Sequence, residues 1–143
     1  MVVLGVDLGA KRIGLAVSDP DARVAFPAGA LESRGPARDV AAIAEIVRER
    51  GAGCVVIGLP IHMSGRRGPE AQAAQRFAEA LAKKSGVPVE TLDERWTSRE
   101  AERSLQEMGR TSKKRARGEV DAIAATLLLR SFLERRAAGS RRE

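Results

Sequence analysis

The 143-residue chain has little of what several common kinds of active site require. It contains one cysteine and one histidine, so neither a disulfide framework nor a zinc site built from histidine and cysteine is expected. A Ser–His–Asp triad of the ordinary type is equally unexpected. Cys54 lies in an apolar run at residues 54–57, which predicts a buried, inert thiol rather than a nucleophile.

Aromatic residues are also scarce, with no tyrosine, one tryptophan and three phenylalanines. A surface that reads unpaired bases needs several aromatic side chains for stacking, so contacts to backbone phosphates are the more natural expectation. P-loop and G-x-S-x-G motifs are absent. No apolar run approaches the roughly 18 residues of a membrane span, and no secretion signal is apparent. We therefore expect a cytoplasmic protein with no membrane partner.

The charge and the length of the chain limit its partners and its architecture. Twenty-five Lys and Arg against nineteen Asp and Glu give a net charge of +6, which favours a polyanionic partner without naming it. A chain of this length, 43% hydrophobic, fits one domain with a single core and excludes a two-lobed enzyme. We predict one domain over residues 1–137 and a basic, disordered tail over residues 138–143.

Hydrophobic periodicity predicts an α/β architecture. Three strands open the chain as a hairpin and meander, at residues 2–7, 13–18 and 23–26. Helices and strands then alternate. The predicted helices are residues 39–50, 70–85, 97–108 and 119–135, and the later strands are residues 54–58 and 87–93.

Three acidic positions need an explanation. Asp7 ends a strand whose preceding residues are all apolar or glycine, and an unpaired charge beside a core is costly. A turn role for Asp7 and a metal-binding role are both open. Asp93 and Glu94 end another strand, and strand alternation points their side chains to opposite sides. We favour Glu94 as the residue that joins Asp7, because its side chain is longer, and we keep Asp93 as the alternate.

Asp121 is the most informative of these acids. At helical spacing it is in line with Ala125, Leu128 and Phe132 on the apolar stripe of the last helix. A favourable interaction with the helix dipole is the competing explanation, but the dipole does not account for the alignment with the stripe. Asp7, Glu94 and Asp121 together could supply the oxygen ligands that Mg²⁺ or Mn²⁺ prefers. If the three acids converge as metal ligands, two such ions would activate a water and stabilise the leaving oxygen in phosphodiester hydrolysis, so the pattern favours a metal-dependent nuclease.

Four motifs, in this order, resemble those of the YqgF/RuvX-type family in the RNase H-like superfamily. Its members are described as Holliday junction resolvases and as nucleases that process the 5′ end of pre-16S ribosomal RNA. The motifs cover nearly the whole chain: residues 7–16 with Ser18 and Asp19, residues 58–60 with Met63 and Gly65, residues 93–95 with Thr97, and residues 120–125. The central loop departs from the family pattern at His62 and Ser64, where amide or acidic residues are expected. His62 is interpreted as an exposed loop residue or a hydrogen-bond partner of the backbone rather than a general base, and a phosphate contact stays open.

The resemblance implies an RNase H-like fold, with a mixed five-stranded sheet that joins a three-stranded antiparallel meander to two parallel strands and is flanked by helices. It also implies catalytic roles for Asp7, for the pair Asp93 and Glu94, and for Asp121. The expected activity is processing of the 5′ end of pre-16S rRNA in ribosome biogenesis. The alternative is resolution of branched DNA, for which a homodimer is expected; a monomer fits the RNA substrate.

Several cations are candidate contacts to the phosphates of structured RNA or branched DNA. Arg66 and Arg67 come just before the start of a helix, and the backbone N–H groups at that N-terminus can also bind phosphate. The other candidates are Lys11, Arg12, Arg95, Lys113, Lys114, Arg115 and Arg117. For each cation taken alone, a solvated surface position is the competing interpretation.

Two other classes of protein share parts of this pattern. Actin-like ATPases and sugar kinases also use an Asp-x-Gly hairpin, but they hold nucleotide between two related lobes, and this chain has room for one. A nucleic-acid-binding module without catalysis would have no need of all three acids, so their presence argues against it.

Overall fold

The computed structural model describes residues 1–60, 64–94 and 117–142. Its strands are β1 (Val2–Leu8), β2 (Arg12–Ser18), β3 (Ala25–Glu32), β4 (Ala52–Leu59) and β5 (Val89–Asp93). Its helices are α1 (Pro36–Arg50), α2 (Pro69–Ser85) and α3 (Arg117–Arg142). The helix predicted at residues 97–108 lies outside the described residues.

The five strands form one mixed sheet in the order β3-β2-β1-β4-β5. β2 pairs antiparallel with both β1 and β3, whereas β4 pairs parallel with both β1 and β5. This arrangement confirms the predicted combination of an antiparallel meander with two parallel strands. β3 runs from Ala25 to Glu32, so the predicted bounds of residues 23–26 are wrong at both ends. It starts two residues later because the backbone N–H groups of Arg23 and Val24 donate to Asp19 Oδ1, at 2.7 and 2.8 Å, and form a turn.

The centre of the sheet is buried on both faces. In β4, Val55, Val56 and Ile57 are each 0% exposed, as expected for a parallel strand covered on both sides. The continuous apolar run at residues 54–57 thus reflects this double burial, and it includes the buried thiol of Cys54.

Helices cover the two faces of the sheet separately. On one face, Ile43 of α1 and Leu81 of α2 pack into a cluster with Leu4, Val6 and Ile57. On the other face, among the described residues, α3 packs on the sheet through the buried residues Ala125, Leu128, Leu129, Phe132 and Leu133. The alternation of side chains along each strand therefore decides which helix a residue faces.

The last helix is longer than predicted. It runs to Arg142, so the prediction of a disordered tail from residue 138 is wrong for residues 138–142, which continue the helix. Alanine and arginine favour helix, and a single glycine, Gly139, costs only about 1 kcal/mol there. No helix within the described ranges is both long enough and apolar enough to span a membrane.

Two glycines let α3 approach the sheet closely. A Cβ atom on Gly14 of β2 would lie 2.0 Å from the backbone carbonyl oxygen of Asp121. A Cβ atom on Gly5 of β1 would lie 2.9 Å from Cβ of Leu129. The absence of these two side chains therefore lets the N-terminal half of α3, which includes Asp121 and Leu129, contact β1 and β2.

The close approach of α3 to Gly14 predicts that a single added methyl group at this position destabilises the fold. In Gly14→Ala the new Cβ meets backbone rather than a flexible side chain, so α3 must shift, and we expect the free energy of unfolding to fall by about 3 kcal/mol. Urea denaturation measures it. The matched control is Gly139→Ala, in the same helix, where the Cβ meets nothing within 4 Å and the change should stay within about 1 kcal/mol. Equal effects of the two substitutions would contradict the close approach.

Candidate active site

Asp7 lies near the end of β1, on the face of the sheet that α3 covers. It pairs with Gly14 across the antiparallel ladder, and directly opposite residues in such a pair share a face. The Cβ position of Gly14 points at Asp121, so the Asp7 side chain also points to the α3 side. Asp7 is half-buried, which leaves its carboxylate within reach of a ligand from solvent.

Glu94 follows β5 directly and crosses over β4. A Cβ atom on Gly58 would lie 2.4 Å from Glu94 Oε1, so the carboxyl group lies against the β4 backbone in the space that a side chain at position 58 would occupy. Because β4 is the strand between β5 and β1, this path leads the Glu94 side chain toward Asp7.

The carboxyl group of Glu94 lies close enough to that of Asp7 for a hydrogen bond between them to affect its pKa. Burial raises the pKa of Glu94 from its ordinary 4.5 to about 8, with the hydrogen bond to Asp7 and the charges of Asp7 and Asp93 adding to the rise. Glu94 therefore favours its protonated form near neutral pH, next to the Asp7 carboxylate.

The choice between Asp93 and Glu94 follows from strand alternation. Asp93 pairs with Leu59, which packs with Ala71 and Ala74 of α2 on the opposite side of the sheet from α3. The structure thus brings Glu94 into contact with Asp7 and directs Asp93 to the other face.

Asp121 lies in the described N-terminal part of α3, beside the Asp7–Gly14 pair. Its Oδ2 accepts a hydrogen bond from Nε of Arg12 at 2.7 Å, and the Arg12 and Asp121 side chains are 31% and 27% exposed. Sequence reasoning treated Arg12 only as a phosphate contact and missed this ion pair. The signal was present, because Arg12 alternates with Gly14 and Ala16 on the α3 face of β2.

The three predicted acids therefore occupy one edge of the sheet but do not form one cluster. Within residues 1–60, 64–94 and 117–142, no three His, Cys, Asp or Glu side chains are grouped so that they could hold a metal ion. Asp7 and Glu94 are in contact, while the Asp121 carboxylate is turned to Arg12. The site is a carboxyl pair with an adjacent ion pair.

The candidate phosphate contacts are distributed around this edge. Lys11 is exposed in the turn between β1 and β2, and Arg66 and Arg67 are exposed just before the N-terminus of α2. Arg117 is the first residue of α3. The remaining predicted contacts, together with His62, lie outside the described residues: Arg95, Lys113, Lys114 and Arg115.

A cavity of about 670 Å³ lies between α1, α2 and the turn after β1. Its lining is largely apolar and includes Leu8, Val40 and Phe77, but none of Asp7, Glu94 and Asp121. The acids instead lie on the side of the sheet that α3 covers, away from this cavity. We place the candidate site at the acids, because their chemistry and not the size of a cavity sets it apart.

A sequence model of the RuvX family, described as Holliday junction resolvase, matches residues 1–135. The chain belongs to the RuvX family. A similar protein from Anaeromyxobacter dehalogenans is 48% identical over 137 residues, which are 96% of this chain and 99% of the relative. Another, from Chloroflexus aurantiacus, is 42% identical over 135 residues, 94% of this chain and 88% of the relative. Both carry the name "Putative pre-16S rRNA nuclease".

Solved structures confirm the RNase H-like fold expected of the RuvX family. RuvC of T. thermophilus, in complex with a Holliday junction substrate, has a TM-score of 0.62 at 19% identity, and the match covers 96% of each chain. The Fowlpox virus resolvase, in complex with Holliday junction DNA, has a TM-score of 0.57 at 13% identity and covers 94% of this chain and 97% of the other. At these identities the likeness concerns the fold.

The raised pKa of Glu94 predicts how stability depends on pH when no divalent cation is added. Between its ordinary 4.5 and about 8, the unfolded chain has released the Glu94 proton and the folded chain has kept it, so the free energy of unfolding falls as the pH rises. Glu94→Gln should lose this contribution and be more stable than wild type at about pH 8, by more than about 1 kcal/mol.

Urea denaturation in EDTA at about pH 5 and about pH 8 measures this difference. Glu79→Gln, which removes a carboxylate from the exposed side of α2, is the control and should follow wild type. If the wild-type and Glu94→Gln curves stay parallel across this range, the pKa of Glu94 is not raised, and the burial of its carboxyl group beside Asp7 is wrong.

Proposed function

We propose that this protein is a metal-dependent nuclease that hydrolyses phosphodiester bonds in pre-16S rRNA, at its 5′ end, during ribosome biogenesis. The observation that carries the proposal is the Asp7–Glu94 carboxyl pair, held over Gly58 at the edge of the sheet, in a chain of the RuvX family. Relatives at 42% and 48% identity that are named for this substrate support it.

The donor set suits a divalent cation. Two carboxyl groups in contact repel each other when both are ionised, and a hard cation bound between carboxylate oxygens removes that repulsion. In the proposal Asp7, Glu94 and Asp121 hold Mg²⁺ or Mn²⁺, two ions in all, and are the catalytic residues. Such ions supply the charge that activates a water and stabilises the leaving oxygen of the phosphodiester.

The remaining parts of the site bind and orient the substrate in this proposal. The ends of β1 and β5 fix Asp7 and Glu94 on the rigid sheet, and rigid placement is what positions a reacting phosphate. Exposed Lys11, Arg66 and Arg67 contact the nucleic-acid backbone. The sequence adds Arg12, Arg95, Lys113, Lys114, Arg115 and Arg117 to this set.

Resolution of Holliday junctions is the second candidate function. The description of the RuvX family favours it directly. An enzyme that cuts two strands of a junction symmetrically would act as a homodimer, whereas a single cut in an RNA requires one site. The two functions therefore differ in substrate and in oligomeric state but use the same acids.

Neutral variants of the acids test the site. Asp7→Asn, Glu94→Gln and Asp121→Asn should each lower the rate of Mg²⁺- or Mn²⁺-dependent cleavage at least about 100-fold, or about 2.7 kcal/mol of barrier, because each removes a proposed ligand charge. The assay is gel-resolved cleavage of a precursor 16S rRNA fragment. Glu79→Gln, on the exposed side of α2, is the matched control and should keep wild-type activity. Unchanged cleavage in Asp7→Asn and Asp121→Asn would exclude the proposed site.

A substrate panel tests the identity of the nucleic acid. We expect cleavage of a precursor 16S rRNA near the mature 5′ end and little cleavage of a four-way DNA junction under the same conditions, with the ends mapped by primer extension. Sedimentation should then show a monomer. Symmetric cuts across the junction by a dimer would reverse the choice between the two candidate functions.

A further inference from the structure

The ion pair between Arg12 and Asp121 occupies a residue that the proposed function assigns to metal binding. Arg12 Nε and Asp121 Oδ2 are 2.7 Å apart and join the start of β2 to α3. The Arg12 and Asp121 side chains are 31% and 27% exposed. Partial removal from water strengthens such a pair relative to one on the open surface. Arg12 therefore competes with a metal ion for the Asp121 carboxylate.

Each partner of this pair has a second possible partner at the same edge of the sheet. A divalent cation competes with Arg12 for the Asp121 carboxylate, since both are cations. A nucleic-acid phosphate competes with Asp121 for the Arg12 guanidinium, which binds phosphate and carboxylate with the same donor geometry. Arg12 is partly exposed and follows the turn that contains Lys11, so a backbone phosphate can reach it.

We infer that Arg12 is an electrostatic latch on Asp121, which holds this carboxylate away from Asp7 and Glu94 until a phosphate of the nucleic acid takes the guanidinium. The inference rests on the proposed function, because it needs Asp121 as a metal ligand and a polyanionic substrate. Substrate binding then releases Asp121 for the cation, and cation binding releases Arg12 for the substrate. The two effects are reciprocal and equal in free energy.

A different role for Arg12 would be to hold Asp121 in its ligating position. The described residues favour the latch, because with Arg12 bound no three acidic side chains are grouped for a metal ion. The two roles predict opposite effects of removing Arg12. A positioning residue strengthens metal binding, whereas a latch weakens it.

The first experiment measures nucleic-acid binding in EDTA, by fluorescence anisotropy of a labelled precursor 16S rRNA fragment at one fixed ionic strength. Asp121→Asn frees Arg12 for phosphate, whereas Asp7→Asn removes the same charge from the same edge without touching Arg12. We expect Asp121→Asn to bind at least about fivefold more tightly than Asp7→Asn. In the double variant that adds Arg12→Gln to Asp121→Asn, this gain in RNA affinity should disappear.

The second experiment measures binding of Mn²⁺ alone by calorimetry. Arg12→Gln should bind Mn²⁺ at least about fivefold more tightly than Lys11→Gln, which removes one positive charge from the neighbouring position without touching Asp121. Arg12→Lys keeps the charge but loses the planar donor fork, and its Mn²⁺ affinity should lie between those of Arg12→Gln and wild type. Thermal unfolding of each variant establishes that it is folded, and Arg12→Lys replaces Arg12→Gln in the comparison if the latter is not.

The outcomes separate the latch from the proposed function. Equal RNA affinity of Asp121→Asn and Asp7→Asn in EDTA overturns the latch, as does Mn²⁺ binding by Arg12→Gln that is weaker than, or equal to, that of Lys11→Gln. Both results leave a nuclease with the proposed acids intact. A wild-type protein that binds neither the RNA fragment nor Mn²⁺ overturns the proposed function, and the latch with it.

Discussion

The contact between the carboxyl groups of Asp7 and Glu94 is the interaction on which the rest of the site depends. Two ionised carboxylates that lie close together repel each other, and burial raises the free energy of their charged forms. The raised pKa of Glu94 favours its neutral form, and the guanidinium of Arg12 neutralises the charge of neighbouring Asp121. The acids therefore form an edge whose negative charge is balanced locally, and any added cation must displace the proton, the arginine or both.

The sheet and α3 supply the rigidity that keeps these groups together. β1 lies between β2 and β4, near the centre of the sheet, and its apolar residues are buried against helices on both faces. α3 lies against Gly5 and Gly14 with no room for a methyl group at Gly14. A close-packed arrangement of this kind resists small displacements, so the backbone positions that carry Asp7 and Asp121 are held in place.

The fold was predictable from local patterns, and the site was predictable only in part. Alternating and continuous apolar runs located the strands, and the apolar stripe that includes Asp121 pointed to the sheet. Element ends were less accurate, because the Asp19 turn and the continuation of α3 depend on hydrogen bonds and propensities that periodicity does not measure. The choice of Glu94 over Asp93 was open in the sequence, since it depends on which face of β5 meets α3. The Arg12–Asp121 pair was missed because Arg12 was interpreted only as a phosphate contact, although it shares a face of β2 with Gly14.

The path of Glu94 across β4 also has an evolutionary consequence. The carboxyl group occupies the volume that a side chain at position 58 would need, so a residue larger than glycine there would turn the Glu94 side chain away from Asp7. A relative with alanine at the position of Gly58 would keep the acidic pair only if its second acid had a different length or stood at another strand end. Covariation between these two columns across the family, rather than invariance of either one, is the mark that this packing would leave in its sequences.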